Sequence, residues 1–334
     1  VLPGTRSVLS LILLVLLVTG CGGDSRSAPD PPHEVPTLRG LSPDDRERRD
    51  RRELTDGCEY DQRGIPACGV LLGAAYGGNQ DPSAWERRMG QQLGVRRTYY
   101  GPEDAAYAAH VARADLTVGR VPWISFKTPY SWGEMAEGAG DEWIADITRR
   151  LALIDGPVWL AIHHEPENDG NIENWTAMQE RLAPIVRAGA PNVAYTVILT
   201  GYHQVFGREE FAFDRLWPDT TIDLVGFDVY ERYGTIRDGS QVVQETPFED
   251  VYFPAFEKFA EEHDTAWGLG ETGYADEAVP DLPDFVRRTY DGVREHGGVV
   301  VAYFNSVLNS TASWRLDEEK EAAFTTVLRD SPHL

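Results

Sequence analysis

From Cys68 onward, short apolar runs alternate with longer amphipathic stretches, and the alternation occurs eight times. The runs are Gly69–Ala74, Val95–Tyr99, Pro122–Phe126, Val158–His163, Val193–Leu199, Leu224–Val229, Ala266–Gly270 and Val299–Phe304. Several are apolar without interruption, as strands buried on both faces of a parallel sheet are. Between them, Trp143, Ile144, Ile147, Leu151 and Ile154 recur with a helical period. So do Trp175, Met178, Leu182, Ile185 and Val186, and likewise Phe248, Val251, Tyr252, Ala255, Phe256 and Phe259. These stripes read as core-facing helix sides. Asp81-Pro82 is a helix start, and Phe285–Glu295 and Glu318–Leu328 complete the helical set. The pattern is faintest after the second and fifth strands. Eight strand–helix units in about 270 residues predict a single closed α/β barrel of the (β/α)8, or TIM-barrel, class. A doubly wound open sheet is the competing fold. Its phosphate-binding turn is missing, because Gly73–Gly78 has glycines but no dinucleotide or P-loop pattern.

The N-terminal part reads differently. Arg6 precedes an apolar stretch, Leu9–Val18, that is short for a bilayer span and matches the core of a signal peptide. Val18-Thr19-Gly20-Cys21 resembles a bacterial lipobox, which implies cleavage before Cys21, a lipid on its sulfur and a membrane-anchored, extracytoplasmic protein. A plain signal peptide is the other reading. Gly22–Pro43 is rich in Pro, Gly, Ser and Asp and reads as a tether. Asp44–Glu53 carries five acids and five arginines, and solvated linker is preferred there to a short ion-paired helix. The expected organisation is therefore signal segment 1–20, lipidated cysteine and linker 21–57, and barrel 58–334. With Cys21 acylated, Cys58 and Cys68 remain, and export predicts a disulfide between them.

Thirty-one basic against 54 acidic residues give a net charge of −23. Such a surface repels phosphate backbones and excludes nucleic acid as a natural partner, whereas it tolerates an uncharged glycan. A monomer is expected.

In α/β barrels the chemistry sits where strands end and βα loops begin. Strand four ends in His163-His164-Glu165-Pro166-Glu167-Asn168, strand six in Phe227-Asp228-Val229-Tyr230, and strand seven in Gly270-Glu271-Thr272-Gly273. Either glutamate alone reads equally well as a structural carboxylate. Together, on strands four and seven, they face each other across the barrel. Glycoside hydrolysis needs such a pair, one carboxyl protonated and one ionised, held about 5–5.5 Å apart in retaining enzymes. His163, His164, Glu165 and Glu167 also invite a metal. However, adjacent strand residues point to opposite faces and strand one has no histidine, so no metal and no cofactor are expected. His163 reads as a satisfied rim histidine and Glu167 as a loop charge.

The strand-four and strand-seven glutamates resemble clan A of the glycoside hydrolases. Histidine directly before the first glutamate, with Asp228 and Tyr230 on strand six, resembles family 26, the β-mannanase family. The resemblance implies a retaining, endo-acting hydrolase of a neutral polysaccharide such as β-mannan or β-glucan. Glu165 would be the acid/base and Glu271 the nucleophile. His164 would contact the sugar, Tyr230 would orient Glu271, and Asp228 would support that shell. The sequence departs from the family in three places. No aromatic directly follows the acid/base motif, strand eight ends in Tyr303-Phe304-Asn305-Ser306 rather than supplying a Trp, and the nucleophile sits in Gly-Glu-Thr-Gly. Asn168 and Asn305 are candidate sugar contacts, and Trp123, Trp132 and Trp314 are candidate stacking platforms. A lipid-anchored barrel that binds glycan without cutting it is the alternative.

Overall fold

The computed structural model describes residues 42–237, 239–307 and 313–334. The expected signal segment, Cys21 and nearly all of the tether lie outside those residues. Eight parallel strands close into one barrel: β1 Leu71–Tyr76, β2 Val95–Tyr100, β3 Val121–Phe126, β4 Val158–Ile162, β5 Val193–Leu199, β6 Leu224–Glu231, β7 Ala266–Tyr274 and β8 Val300–Asn305. Each strand pairs with its sequence neighbours, and β8 pairs with β1 from Leu71↔Val300 to Tyr76↔Asn305. A two-stranded ribbon, Ile236–Arg237 with Ser240–Gln241, stands apart from the barrel. Among the described residues no helix is long and apolar enough to cross a membrane.

The predicted strands fall within a few residues of the observed ones, with two shifts. The first begins at Leu71 and runs to Tyr76, and the seventh runs on to Tyr274. Ile144, Ile147 and Leu151 are buried on the helix Asp141–Ala152, and Trp175, Met178, Leu182 and Val186 on Ile172–Gly189. The faint period after β2 nonetheless forms a 13-residue helix, Ala105–Thr117. Half of its buried residues are alanine, which favours helix but marks no hydrophobic stripe. After β5 only short pieces form: Tyr202–Phe206, Glu209–Phe211 and Phe213–Leu216.

The acidic–basic stretch before the barrel is not solvated linker. Pro43–Asp50 is a helix, capped by Ser42, whose side chain accepts from the Asp45 amide, with Pro at its start. Its basic last turn faces the helix C-terminus, where positive charge is favoured. Arg49 donates to the Leu116 carbonyl, and Leu54 is fully buried. The predicted disulfide joins Cys58 to Cys68, three residues before β1. Replacing both cysteines by serine is expected to lower stability by about 2–3 kcal/mol, because the reduced chain regains the freedom of the closed loop. A Tm under non-reducing conditions equal to that of the parent protein would contradict this.

The barrel interior is filled by large side chains. Trp123 and Trp159 are fully buried there, edge-on to each other. Lys320, fully buried, donates to the Tyr274 carbonyl at 3.0 Å and pairs with Asp276, which ties the C-terminal helix Glu318–Leu328 to the end of β7.

Candidate active site

The end of β4 is built by force. His163 (φ 53°), Glu165 (φ 50°) and Asn168 (φ 69°) all occupy the left-handed region, where side chains with a Cβ are strained. Neighbouring elements hold the backbone there. The His163 amide donates to the Phe126 carbonyl on β3 (2.8 Å), and the Glu165 amide donates to the Ile198 carbonyl on β5 (2.9 Å). From the following helix, the Trp175 indole donates to the His163 carbonyl (2.9 Å) and Gln179 to the Ile162 carbonyl (2.8 Å). The strain is thus offset by hydrogen bonds from three sides. Glu165 projects from this frame, half-buried.

Glu271 reaches the same cleft by a different device. Between Leu269 and Glu271, β7 takes one residue more than either neighbour. Phe227 pairs Leu269 and Asp228 pairs Glu271, while Val301 pairs Leu269 and Tyr303 pairs Thr272. The extra residue is Gly270, and a bulge of this kind re-aims the side chain that follows. Gly270 admits no larger residue, since a Cβ there would stand 2.6 Å from Asp228 Oδ1. Glu271 is buried to 7%, and both its oxygens accept tyrosine hydroxyls: Tyr99 at 2.6 Å on Oε1 and Tyr230 at 2.5 Å on Oε2. Two hydroxyl donors, one on each oxygen, fix the plane of the carboxylate. The expected role of Tyr230 has this geometric counterpart. Tyr99 has the same one, although in the sequence it was only one aromatic among several.

The electrostatics divide the two glutamates. Burial first, then the negative charges of Glu271 and Glu167, push Glu165 up to about 8. Asp228 is also pushed well up, by burial and then by Glu271 and Glu165. Burial, with Arg97 and Lys127 nearby, pushes His164 well down, so its imidazole is neutral at pH 7. His164 lies 5.3 Å from the Tyr99 ring, inside the cleft. Asp228 sits two residues before Tyr230 on the same inward face, and its oxygens have no protein hydrogen bond among the described residues.

Several expected contacts are placed elsewhere. Trp123 is fully buried in the barrel, its indole donating to Thr196 Oγ1 (3.0 Å) and lying edge-on to Trp159, so it is core and not a sugar platform. Trp132 is 7% exposed and packs edge-on against His163 at 4.7 Å, supporting the loop after β4. Trp314, 3% exposed, backs the Tyr230 ring at 4.8 Å and so acts behind Tyr230. Asn305 is buried with its Oδ1 committed to the Leu316 amide (2.9 Å). Glu167 is no solvated loop charge. It is buried, and its Oε1 accepts from the Thr200 amide (3.0 Å) and from Gln204 (2.6 Å), joining the loops after β4 and β5. Asn168 does lie exposed on the rim, held by Arg208 (2.8 Å) and 3.2 Å from His203 Nε2. His163 Nε2 stands 3.1 Å from both Lys127 Nζ and Asp169 Oδ2, while its buried Nδ1 has no hydrogen-bond partner among the described residues, so the ring is only half satisfied. Among the described residues, aromatics with exposed faces after the strands include Tyr107, Tyr130, Tyr202 and Phe206.

No family model matches the chain, and neither does any curated protein. Solved structures match it at the level of fold. A GH26 β-mannanase from Bacteroides ovatus has 17% identity and a TM-score of 0.55, over 79% of this chain and 89% of that one. Cel5A of Thermotoga maritima, solved with cellobiose, has 12% identity and a TM-score of 0.57, over 79% and 98%. A fungal β-1,4-galactanase has 13% identity and a TM-score of 0.53, over 78% and 99%. At such identities the likeness establishes the barrel alone.

Sequence reading passed over one residue entirely. Arg97, on β2 two residues before Tyr99, is fully buried, with its guanidinium carbon 4.6 Å from the Tyr99 ring centroid and 5.5 Å from that of Trp123. The signal was a pair of arginines, Arg96-Arg97, inside a strand buried on both faces. Arg96 is accounted for by Asp115 at 3.2 Å.

Proposed function

We propose that this protein is a retaining β-glycoside hydrolase of double-displacement mechanism, with Glu165 as acid/base and Glu271 as nucleophile. The observation that carries the reading is the asymmetry of the pair. One carboxylate accepts two tyrosine hydroxyls, and the other, within reach of its charge, is driven toward its protonated form. Glu271 attacks the anomeric carbon while Glu165 gives its proton to the departing oxygen. Esterification removes the charge of Glu271, Glu165 becomes a stronger acid, and as a carboxylate it takes a proton from the incoming water.

The structural neighbours include a β-mannanase, a β-1,4-galactanase and Cel5A solved with cellobiose, which supports a neutral β-linked polysaccharide as the substrate class. Within it, β-mannan and β-glucan are the first substrates to try, with endo action. A cell-surface setting through lipidated Cys21 fits a polymeric substrate outside the cell. Binding without turnover is disfavoured, because both glutamates are present and differently poised in one cleft. Incubation with soluble β-mannan, β-glucan and β-galactan, followed by product analysis, tests the proposal. Oligosaccharides released from at least one of them are expected. Measurable binding with no product from any would overturn it.

The pH profile follows from the direction of the Glu165 shift. The acid works only when protonated, which it is below about 8. Activity on a substrate with a poor leaving group is expected to fall as pH rises through about 8. With dinitrophenol as the leaving group, which needs no protonation, that limb is expected to fade. Identical alkaline limbs for both substrates would contradict the assignment of Glu165.

A further inference from the structure

Tyr99 donates its hydroxyl to Glu271 Oε1, and its own backbone is held by a side chain rather than by a strand. β1 and β2 pair from Gly73↔Val95 to Ala75↔Arg97, so Tyr99, two residues further along β2, has no β1 residue opposite it. Asn79, in the loop after β1, takes that place. Its Oδ1 accepts from the Tyr99 amide at 3.0 Å, and its Nδ2 donates to the Tyr99 carbonyl. A carboxamide offers the donor and the acceptor of a peptide group, so this side chain adds one more rung to the β1–β2 ladder. Only Asn and Gln carry both on one planar group. Asn is also among the few side chains that tolerate the left-handed backbone on which residue 79 stands (φ 63°). The loop is fixed from behind. Arg96 Nη2 donates to the carbonyls of Asn79 (2.8 Å) and Gln80 (2.9 Å), and buried Asp115, on the helix Ala105–Thr117, holds Arg96 at 3.2 Å.

We propose that Asn79 is a positioning residue for the nucleophile: through the Tyr99 backbone it sets where the Tyr99 hydroxyl stands, and so the plane of the Glu271 carboxylate. The proposal rests on the glycosidase reading for the role of Glu271. The connection is short. On its other side Tyr99 is in register with Ser125 of β3, so that pairing and the Asn79 rung together clamp the end of β2. From there one rigid ring leads to Glu271. The hydroxyl contact is 2.6 Å long, and a shift of the ring by about 1 Å takes it out of hydrogen-bond range. Both hydrogen bonds of the Asn79 carboxamide go to Tyr99, so its effect on Glu271 passes through that one tyrosine.

Two measurements test it. Asn79→Gly adopts the left-handed backbone without strain and removes only the carboxamide. Its kcat on an activated aryl β-glycoside is expected to fall about 10- to 100-fold, with KM changed by less than about 3-fold, because the nucleophile is mis-aimed while the sugar contacts remain. In a Tyr99→Phe background the same substitution is expected to cost no more than about 2-fold further, since two changes in one chain of contacts do not add. An unchanged kcat, a loss confined to KM, or equal losses in both backgrounds would overturn the proposal. The second measurement needs no substrate. With fluorotyrosine in place of tyrosine, the fluorine resonance that vanishes in Tyr99→Phe is expected to move in Asn79→Gly. That of Tyr290, which is bonded to the Val70 carbonyl at the other end of the barrel strands, is expected to stay. A Tyr99 resonance that does not move would sink the idea. Should the parent protein release nothing from any glycoside, the glycosidase reading fails, and the resonance still decides whether Asn79 places Tyr99.

Discussion

Glu271→Ala is expected to lower kcat on an activated aryl β-glycoside by about 10⁴-fold or more, which is about 5 kcal/mol of transition-state stabilisation. The geometry supports so large an effect. Glu271 is placed by a bulge and oriented by two hydroxyls in a nearly dry site, and no other side chain replaces it. Asp228 lies beside it in register, but its carboxyl packs against Gly270. Truncation leaves a space beside the anomeric carbon that a small anion can enter. Added azide is therefore expected to restore part of the rate and to give a glycosyl azide product. A loss of less than 10-fold would show that another group is the nucleophile.

Trp123→Ala is expected to destabilise the fold by about 3–5 kcal/mol, the usual cost of truncating a large aromatic core side chain. The indole reaches across the barrel to Gly226, where a Cβ would meet its ring atoms at 2.9 Å, and it also packs on Trp159 and lies near Arg97. Nothing on the opposite wall fills the space it leaves. The Tm is expected to drop by about 10 °C. Were Trp123 a sugar platform, the variant would keep its Tm and raise KM instead. Thermal unfolding and steady-state kinetics on the same preparation separate the two.

The contrast between Glu271 and Trp123 marks what the sequence made legible. Strand order and the two carboxylates were readable because barrel chemistry collects at strand ends, and Glu165 and Glu271 stand there in the sequence itself. The disulfide was readable by elimination among three cysteines. The facing of aromatics was not. Trp123 lies on β3, a strand buried on both faces, so no alternation of polar and apolar residues distinguished barrel interior from loop. Trp314 and Trp132 are near the cleft, yet their rings back Tyr230 and His163, a distinction of contact rather than position. The apolar run that marks β7 stops at Gly270, whereas the strand continues to Tyr274 through a bulge at that glycine, which lies against Asp228. Arg97 was missed because a charged residue in a buried strand has no meaning until its surroundings are known. The helix Pro43–Asp50 was missed because every side chain on it is polar, so no buried stripe announced it.

The most direct test is to incubate the protein with 2-deoxy-2-fluoro-β-glycosyl fluorides of manno and gluco configuration, then locate the label by peptide mass mapping. The fluorine slows hydrolysis of a glycosyl-enzyme ester, so a double-displacement enzyme accumulates it. The expected result is one fluoroglycosyl group on the peptide that contains Glu271, with loss of label in Glu271→Ala. Label on Glu165 or Asp228, or turnover of a β-linked oligosaccharide that releases the α-anomer first and leaves no label, would contradict the account.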